Sequence, residues 1–210
     1  MRVRYVTGAK DFIIQYPDIV IQNYTDYYGH WNKLFNNDHN IELEIGMGKG
    51  QFIIKKALCN PDINYIGIDK DISIVYKALK NVLVHGEIKN LKLICADAIS
   101  IHNIFEKEEI EKIYLNFSDP WPKVRHEKRR LTGPIIFKTI LDIQRNGIEF
   151  KTDNRHLFEY SIMEFNKLGL DIVRMSLNLH EDDKEVITTE YEDKFSSLGQ
   201  PIYFCEVRKK

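Results

Sequence analysis

Glu44-Ile45-Gly46-Met47-Gly48-Lys49-Gly50 follows the apolar run 41–45 and leads into a helical pattern that opens at Gln51. A strand, a glycine-rich turn and a helix in that order open an α/β sheet, because glycine lets the backbone turn sharply and approach a ligand without side-chain obstruction. Outward from this turn, short β-branched or apolar runs alternate with helical patterns. Residues 41–45, 64–68, 91–95, 112–117 and 147–151 read as strands. Between them, 51–58, 72–84, 134–145 and 155–168 carry apolar residues at helical spacing, with Pro134 suited to a first helical turn. Two further strands, near 171–177 and 201–207, close the chain. The expected fold is α/β, a mainly parallel seven-stranded sheet flanked by helices.

The chain has 210 residues, 43% of them hydrophobic, enough to bury one sizeable core. No repeat, low-complexity tract or linker divides it, so residues 1–210 are expected to form a single domain. Residues 1–40, rich in Tyr and Asn, are expected to lie as an N-terminal extension over the sheet edge. No apolar run approaches the ~20 residues that span a bilayer. Met1-Arg2-Val3-Arg4-Tyr5 lacks the apolar core of a signal peptide, so a cytoplasmic protein without a membrane partner is expected. Cys59, Cys95 and Cys205 are odd in number and far apart, which suggests neither a disulfide framework nor a metal site. The net charge of −1 excludes a globally basic nucleic-acid binder. Charge is nonetheless concentrated: Lys123, Arg125, Lys128, Arg129 and Arg130 fall together with His126, and a local patch sets the field that a phosphate feels.

Glycine loops serve several ligands. A dinucleotide fingerprint would carry a third glycine at position 51, where this chain has Gln51. The spacing and the upstream Glu44 instead suit S-adenosyl-L-methionine, whose ammonium group an acid ahead of the glycines can pair with, directly or through water. Asp69 ends the second strand run, where a carboxylate accepts from both ribose hydroxyls. Asp97 follows the third run, placed for an adenine amino group, and Asp119 follows the fourth. Any one acid after a strand is as readily a helix cap. Four in register with the glycine loop, on the edge where open α/β sheets bind ligands, make a pattern.

Ser118-Asp119-Pro120-Trp121-Pro122-Lys123 runs straight into the basic cluster. Its two prolines fix their own φ and restrict the residues before them, so the loop is built to place a carboxylate beside an aromatic and a phosphate-binding patch. That set suits chemistry on a nucleic-acid base. Trp121 either stacks on a base or anchors the loop to the core. Arg125, Lys128, Arg129 and Arg130 read as RNA contacts rather than as a solvated face, and Lys123, nearest to Asp119, as the basic residue beside the base. Glu181-Asp182-Asp183-Lys184-Glu185 reads as an exposed loop.

Taken together, Glu44-x-Gly46-x-Gly48-x-Gly50, the Ser118 to Lys123 stretch with Arg125-His126-x-Lys128-Arg129-Arg130-Leu131, Lys151-Thr152-Asp153-Asn154 and Thr189-x-Tyr191-Glu192 closely resemble the bacterial tRNA (guanine-N7)-methyltransferases. The resemblance runs over nearly the whole chain. It implies a Rossmann-like class I methyltransferase fold and methyl transfer from S-adenosylmethionine to N7 of a guanine in the tRNA variable loop, by a monomer or a homodimer. It further implies that Glu44, Gly46, Gly48, Asp69, Asp97 and Asp119 bind the cofactor, with Asp119 also at the reaction centre. Lys123, Asp153, Thr189, Tyr191 and Glu192 would contact the substrate, the last three as a set able to read a guanine edge. Two departures stand out: Asp69 where many relatives carry Glu, and Val124 and Glu127 within a segment that is often more basic.

Guanine N7 carries an in-plane lone pair and no proton, so alignment matters more than basicity. Holding the reacting atoms in line can contribute roughly 7–11 kcal/mol. Positive charge appears on the purine as the methyl moves, and a fixed carboxylate beside the ring favours that transition state. Asp119 takes this duty, with Asp153 or Glu192 assisting. Two alternatives stay open at this point: a methyltransferase acting on another substrate, and a non-catalytic RNA-binding partner subunit that kept the fold.

Overall fold

The computed structural model describes residues 5–183 and 186–210. The reading of the first four residues, and that of Lys184 and Glu185 as loop, fall outside the described residues. In chain order the elements begin with α1 (Ala9–Ile13), β1 (Ile41–Ile45), α2 (Gln51–Cys59), β2 (Asn64–Asp69), α3 (Ile72–Val84) and β3 (Leu91–Cys95). They continue with β4 (Ile110–Asn116), α4 (Pro134–Ile143), β5 (Gln144–Thr152), α5 (Arg155–Lys167), β6 (Asp171–Ser176), α6 (Leu179–Asp182), α7 (Glu190–Ser196) and β7 (Tyr203–Arg208). The strands form one sheet in the order β3-β2-β1-β4-β5-β7-β6. Neighbours from β3 to β5 run parallel, and β7 runs antiparallel to both β5 and β6.

β1 sits at the centre and is buried along its length. Ile41, Leu43 and Ile45 join the larger core with α4 and α5 residues such as Phe137 and Phe165. The alternate residues are Glu42 and Glu44, so this strand buries acids on its second face. Glu42 is matched by the Tyr114 hydroxyl, which donates at 2.6 Å, and by Lys56 Nζ at 3.6 Å. A second core packs α2 and α3 on β2 and β3 through Ile53, Ile54, Val75, Leu79 and Leu93. Each fully buried aliphatic or aromatic side chain of this size contributes ~1.5–3 kcal/mol.

Ahead of β1, Ile21 N donates to Leu93 O and Leu93 N to Ile19 O, at 2.9 and 2.8 Å, so residues 19–21 continue the sheet beyond β3. α1 packs on α3, and Trp31 is buried in the larger core with its indole N–H donating to Ile104 O.

Most element ends shift by a residue or two from the sequence reading, and two differences go further. α4 ends at Ile143 and β5 starts at Gln144 without an intervening turn, because Gln144 is buried and pairs with Ile110 on β4. Glu181 and Asp182 are not loop but the end of α6, whose first residue Leu179 is buried against Ile202 and Phe204. No helix among the described residues is long and apolar enough to cross a membrane.

Candidate active site

A cleft of about 540 Å³ opens at the carboxyl ends of β1, β2, β3 and β4. Its walls include Gly46, Gly48, Asp69, Asp97, Asp119 and Trp121. Gly46 and Gly48 have φ of +80° and +57°, which glycine adopts without steric cost. Gly46 N and Met47 N both donate to Ile68 O, at 2.8 and 3.0 Å, and so curl the loop over the end of β2. A Cβ added at Gly46 or Gly48 would meet nothing within 4 Å, so the loop presents bare backbone to open space. Gly67, which the sequence reading passed over, explains the other side of the loop. A Cβ there would lie 2.5 Å from Met47 Sδ, so glycine at that point of β2 leaves room for the Met47 side chain as it packs.

The acids of the strand ends differ in what they already hold. Asp69 accepts from Gly48 N at 3.3 Å and from Asp71 N at 3.0 Å. Burial pushes its carboxyl above the ordinary value while those two amides pull it back. Asp97 accepts from Ile99 N at 3.0 Å, starting a 3-10 turn, so it is a helix cap and a wall of the cleft at once. Asp119 stands exposed on the cleft.

Glu44 is the exception, because it lies behind the glycine loop at 1% exposure and outside the cleft's walls. Asn116 donates to its Oε1 at 2.8 Å. Oε2 is buried and makes no hydrogen bond of normal geometry, although the Ile53 amide still favours the ionised form. Burial pushes the carboxyl up to about 8, against the Asn116 hydrogen bond and the Lys151 charge. A cation arriving beside it would return it to carboxylate. The bare glycines, the open volume and this under-partnered acid together fit a cofactor with an ammonium group.

The loop after β4 is strained. Phe117 and Trp121 have φ of +50° and +41°, a region that costs an L residue on the order of 1–2 kcal/mol. Lys70 Nζ and the Arg129 guanidinium lie 6.0 and 5.1 Å from the centre of the Trp121 ring, and His126 meets it edge-on. The indole is thus flanked by cations and forms part of the cleft wall. Arg125 and Lys128 are exposed and share a neighbouring hollow of about 350 Å³ with Glu127, Pro134 and Ile135. Lys123 is exposed, and Arg129 is exposed and lines the cleft. Arg130 departs from the sequence reading. It is buried, with Nε donating to Pro120 O at 2.9 Å and Nη2 to Trp121 O at 3.2 Å, so its donors serve the loop rather than a phosphate.

The Thr189 to Glu192 stretch has a local role of its own. Thr189 caps α7: Glu192 N donates to its hydroxyl oxygen at 2.9 Å, and Glu192 Oε2 accepts from Thr189 N at 3.2 Å. Glu192 is wholly buried, 3.2 Å from Lys151 Nζ and 3.1 Å from His180 Nε2, so its carboxylate faces the protein, whereas Thr189 is partly exposed. The signal was in the sequence, since Thr-x-x-Glu ahead of a helix is the capping box. Tyr191 is half exposed, its ring 5.7 Å from Phe117 and 4.7 Å from Phe195. Asp153 is partly exposed just past β5, beside Asn154, which caps α5 through Leu157 N. Further contacts strap this segment across the start of α2: Lys49 to Glu190 at 2.7 Å, Gln51 to Asp193 at 3.0 Å and Lys55 to Thr188 at 3.3 Å.

Among the described residues, no group of three or more His, Cys, Asp or Glu is placed to hold a metal ion. The strand order, the reversed β7 and a cleft at the glycine-loop end define the class I methyltransferase fold, the fold of enzymes whose cofactor is S-adenosylmethionine. A family profile described as "Putative methyltransferase" matches residues 38–205. The tRNA (guanine-N(7)-)-methyltransferase of Bacillus subtilis (strain 168) is 50% identical over 99% of this chain and 98% of its own length. The protein of that name from Streptococcus uberis is 49% identical over 98% of this chain and 99% of its own. The chain belongs to the tRNA (guanine-N(7)-)-methyltransferase family. Among solved structures, a 16S rRNA (adenine(1408)-N(1))-methyltransferase from Catenulisporales acidiphilia superposes with a TM-score of 0.58 at 13% identity, covering 85% of this chain and 88% of that one. At that identity the likeness is one of fold.

Proposed function

We infer that the protein transfers the methyl group of S-adenosylmethionine to N7 of a guanine in the variable loop of tRNA, forming 7-methylguanosine. The observation that carries this reading is near-full-length identity of about half to relatives named for that reaction. One domain over residues 1–210 would do this work, in the cytoplasm where tRNA is modified.

When bound, the cofactor supplies an electrophilic methyl on a sulfonium. The chain's own residues then bind and orient. Gly46 and Gly48 leave room against the backbone, Asp69 accepts from ribose hydroxyls, Asp97 from an amino group, and Glu44 backs the loop as the partner of a cation. Asp119, exposed on the cleft, opposes the positive charge that develops on the purine and accepts from guanine donors. Lys123, Asp153 and Tyr191 border the base, and Arg125, Lys128 and Arg129 take phosphates. Thr189, partly exposed, joins those bordering the base as well as capping α7, and Glu192 supports that segment from beneath.

The test is incubation with methyl-labelled S-adenosylmethionine and unmodified bulk tRNA, followed by nuclease digestion and mass spectrometry of the nucleosides. Labelled 7-methylguanosine is the expected product. Label in any other nucleoside overturns the N7 reading while leaving fold and cofactor intact.

A further inference from the structure

The loop that carries Asp119 does not hold its conformation by itself. Trp121 sits in the left-handed region, and Pro120 and Pro122 have no amide hydrogen with which to pair the backbone. Arg130 supplies what is missing. At 5% exposure, its guanidinium binds the carbonyls of Pro120 and Trp121, two consecutive residues that include the strained one. The other face of the clamp is Tyr160 on α5, whose ring centre lies 4.2 Å from the guanidinium carbon. α5 is anchored in the larger core through Leu157, Phe158 and Phe165, so the clamp ties the loop to a rigid element. Its neighbours Arg125, Lys128 and Arg129 are all exposed, and Arg130 alone of this arginine and lysine run is turned inward.

We propose that Arg130 is a positioning residue: held on Tyr160, its planar fork fixes the 118–123 loop and thereby the placement of Asp119, and it makes no phosphate contact. The proposal rests on the methyl-transfer reading, and wild-type turnover in the same assay tests that reading separately.

Positioning and phosphate contact separate in two readouts, turnover at saturating tRNA and the slope of log affinity for tRNA against log salt. An ammonium cannot serve two carbonyls and stack on a ring as a guanidinium does. Arg130→Lys and Arg130→Ala therefore both lose turnover, on the order of the 10²-fold that a displacement of about 1 Å costs. Their salt slopes stay at the wild-type value. A phosphate contact requires the reverse: Arg130→Lys keeps turnover, and Arg130→Ala lowers the slope by about 0.7–0.9. Either of those results overturns the proposal. Thermal melting accompanies each variant, and if the Arg130 variants do not fold, the test passes to Tyr160. Tyr160→Leu, which removes the ring, must then lower turnover with the slope unchanged, and Tyr160→Phe must keep more of it. Wild-type turnover in Tyr160→Leu overturns the clamp.

Discussion

Asp97 and Asp119 stand exposed on the cleft after their strands, whereas Glu44 near the end of β1 and Glu192, paired with Lys151 near the end of β5, are at 1% and 0% exposure. Glu192 is fully provided for: Lys151, His180 and the Thr189 amide all reach it. Glu44 has Asn116 on one oxygen and no normal hydrogen bond on the other. The comparison teaches that one residue type does three jobs here. The exposed acids line the cleft, the satisfied buried acid ties α7 to β5, and the half-satisfied buried acid keeps one oxygen without a normal hydrogen bond behind the glycine loop.

Breaking the satisfied pair should have the largest effect on folding. Glu192→Ala leaves Lys151 buried without its ion-pair partner, and urea denaturation should show a loss of ~3–5 kcal/mol. A loss below about 1 kcal/mol would mean that α7 swings away and exposes Lys151 to water.

Glu44 sharpens the contrast through pH. Its folded-state pKa is raised from 4.5 to about 8, so the folded protein holds this proton more tightly than the unfolded chain does. The associated stability is fully present below the unfolded value, declines as pH rises through that window, and is lost above about 8. Melting of the ligand-free protein between about pH 5 and pH 9 should show that decline, and Glu44→Gln, which keeps the neutral form, should flatten it.

The smallest effects belong to the solvent side. Glu190→Ala removes an ion pair with Lys49 in which both partners are about half exposed, and should cost 0–1 kcal/mol, falling with added salt. Asp119→Asn should change stability by less than about 0.5 kcal/mol, since the residue is exposed. A large loss there would place Asp119 in the frame rather than in the cleft.

Much of the frame was legible in the sequence. The helix over 72–84 is found at those bounds because Asp71 caps it through Ser73 N and its apolar residues keep helical spacing. The glycine loop was legible because few residues other than glycine accept positive φ. The α4 to β5 junction was not, since the polar stretch Gln144 to Gly147, with the turn-like pair Asn146-Gly147, lies inside β5, where Gly147 pairs with Lys112. Gly67 was silent because its need arises from Met47, a contact made across the sheet. Within the site, the positions of the cleft acids followed from the strand ends. The inward turn of Arg130 did not, because a run of like charges does not say which member finds carbonyls to bind. The Thr189 and Glu192 pair was also legible as a capping box, since Thr-x-x-Glu opens a helix.

The most direct test of the division between cleft and frame is the single-turnover methylation rate of Asp119→Asn, with cofactor affinity measured by calorimetry on the same sample. The account predicts a melting curve like the wild type, retained cofactor binding and a rate lower by on the order of 10²–10³. Near-normal turnover with normal cofactor binding would contradict it.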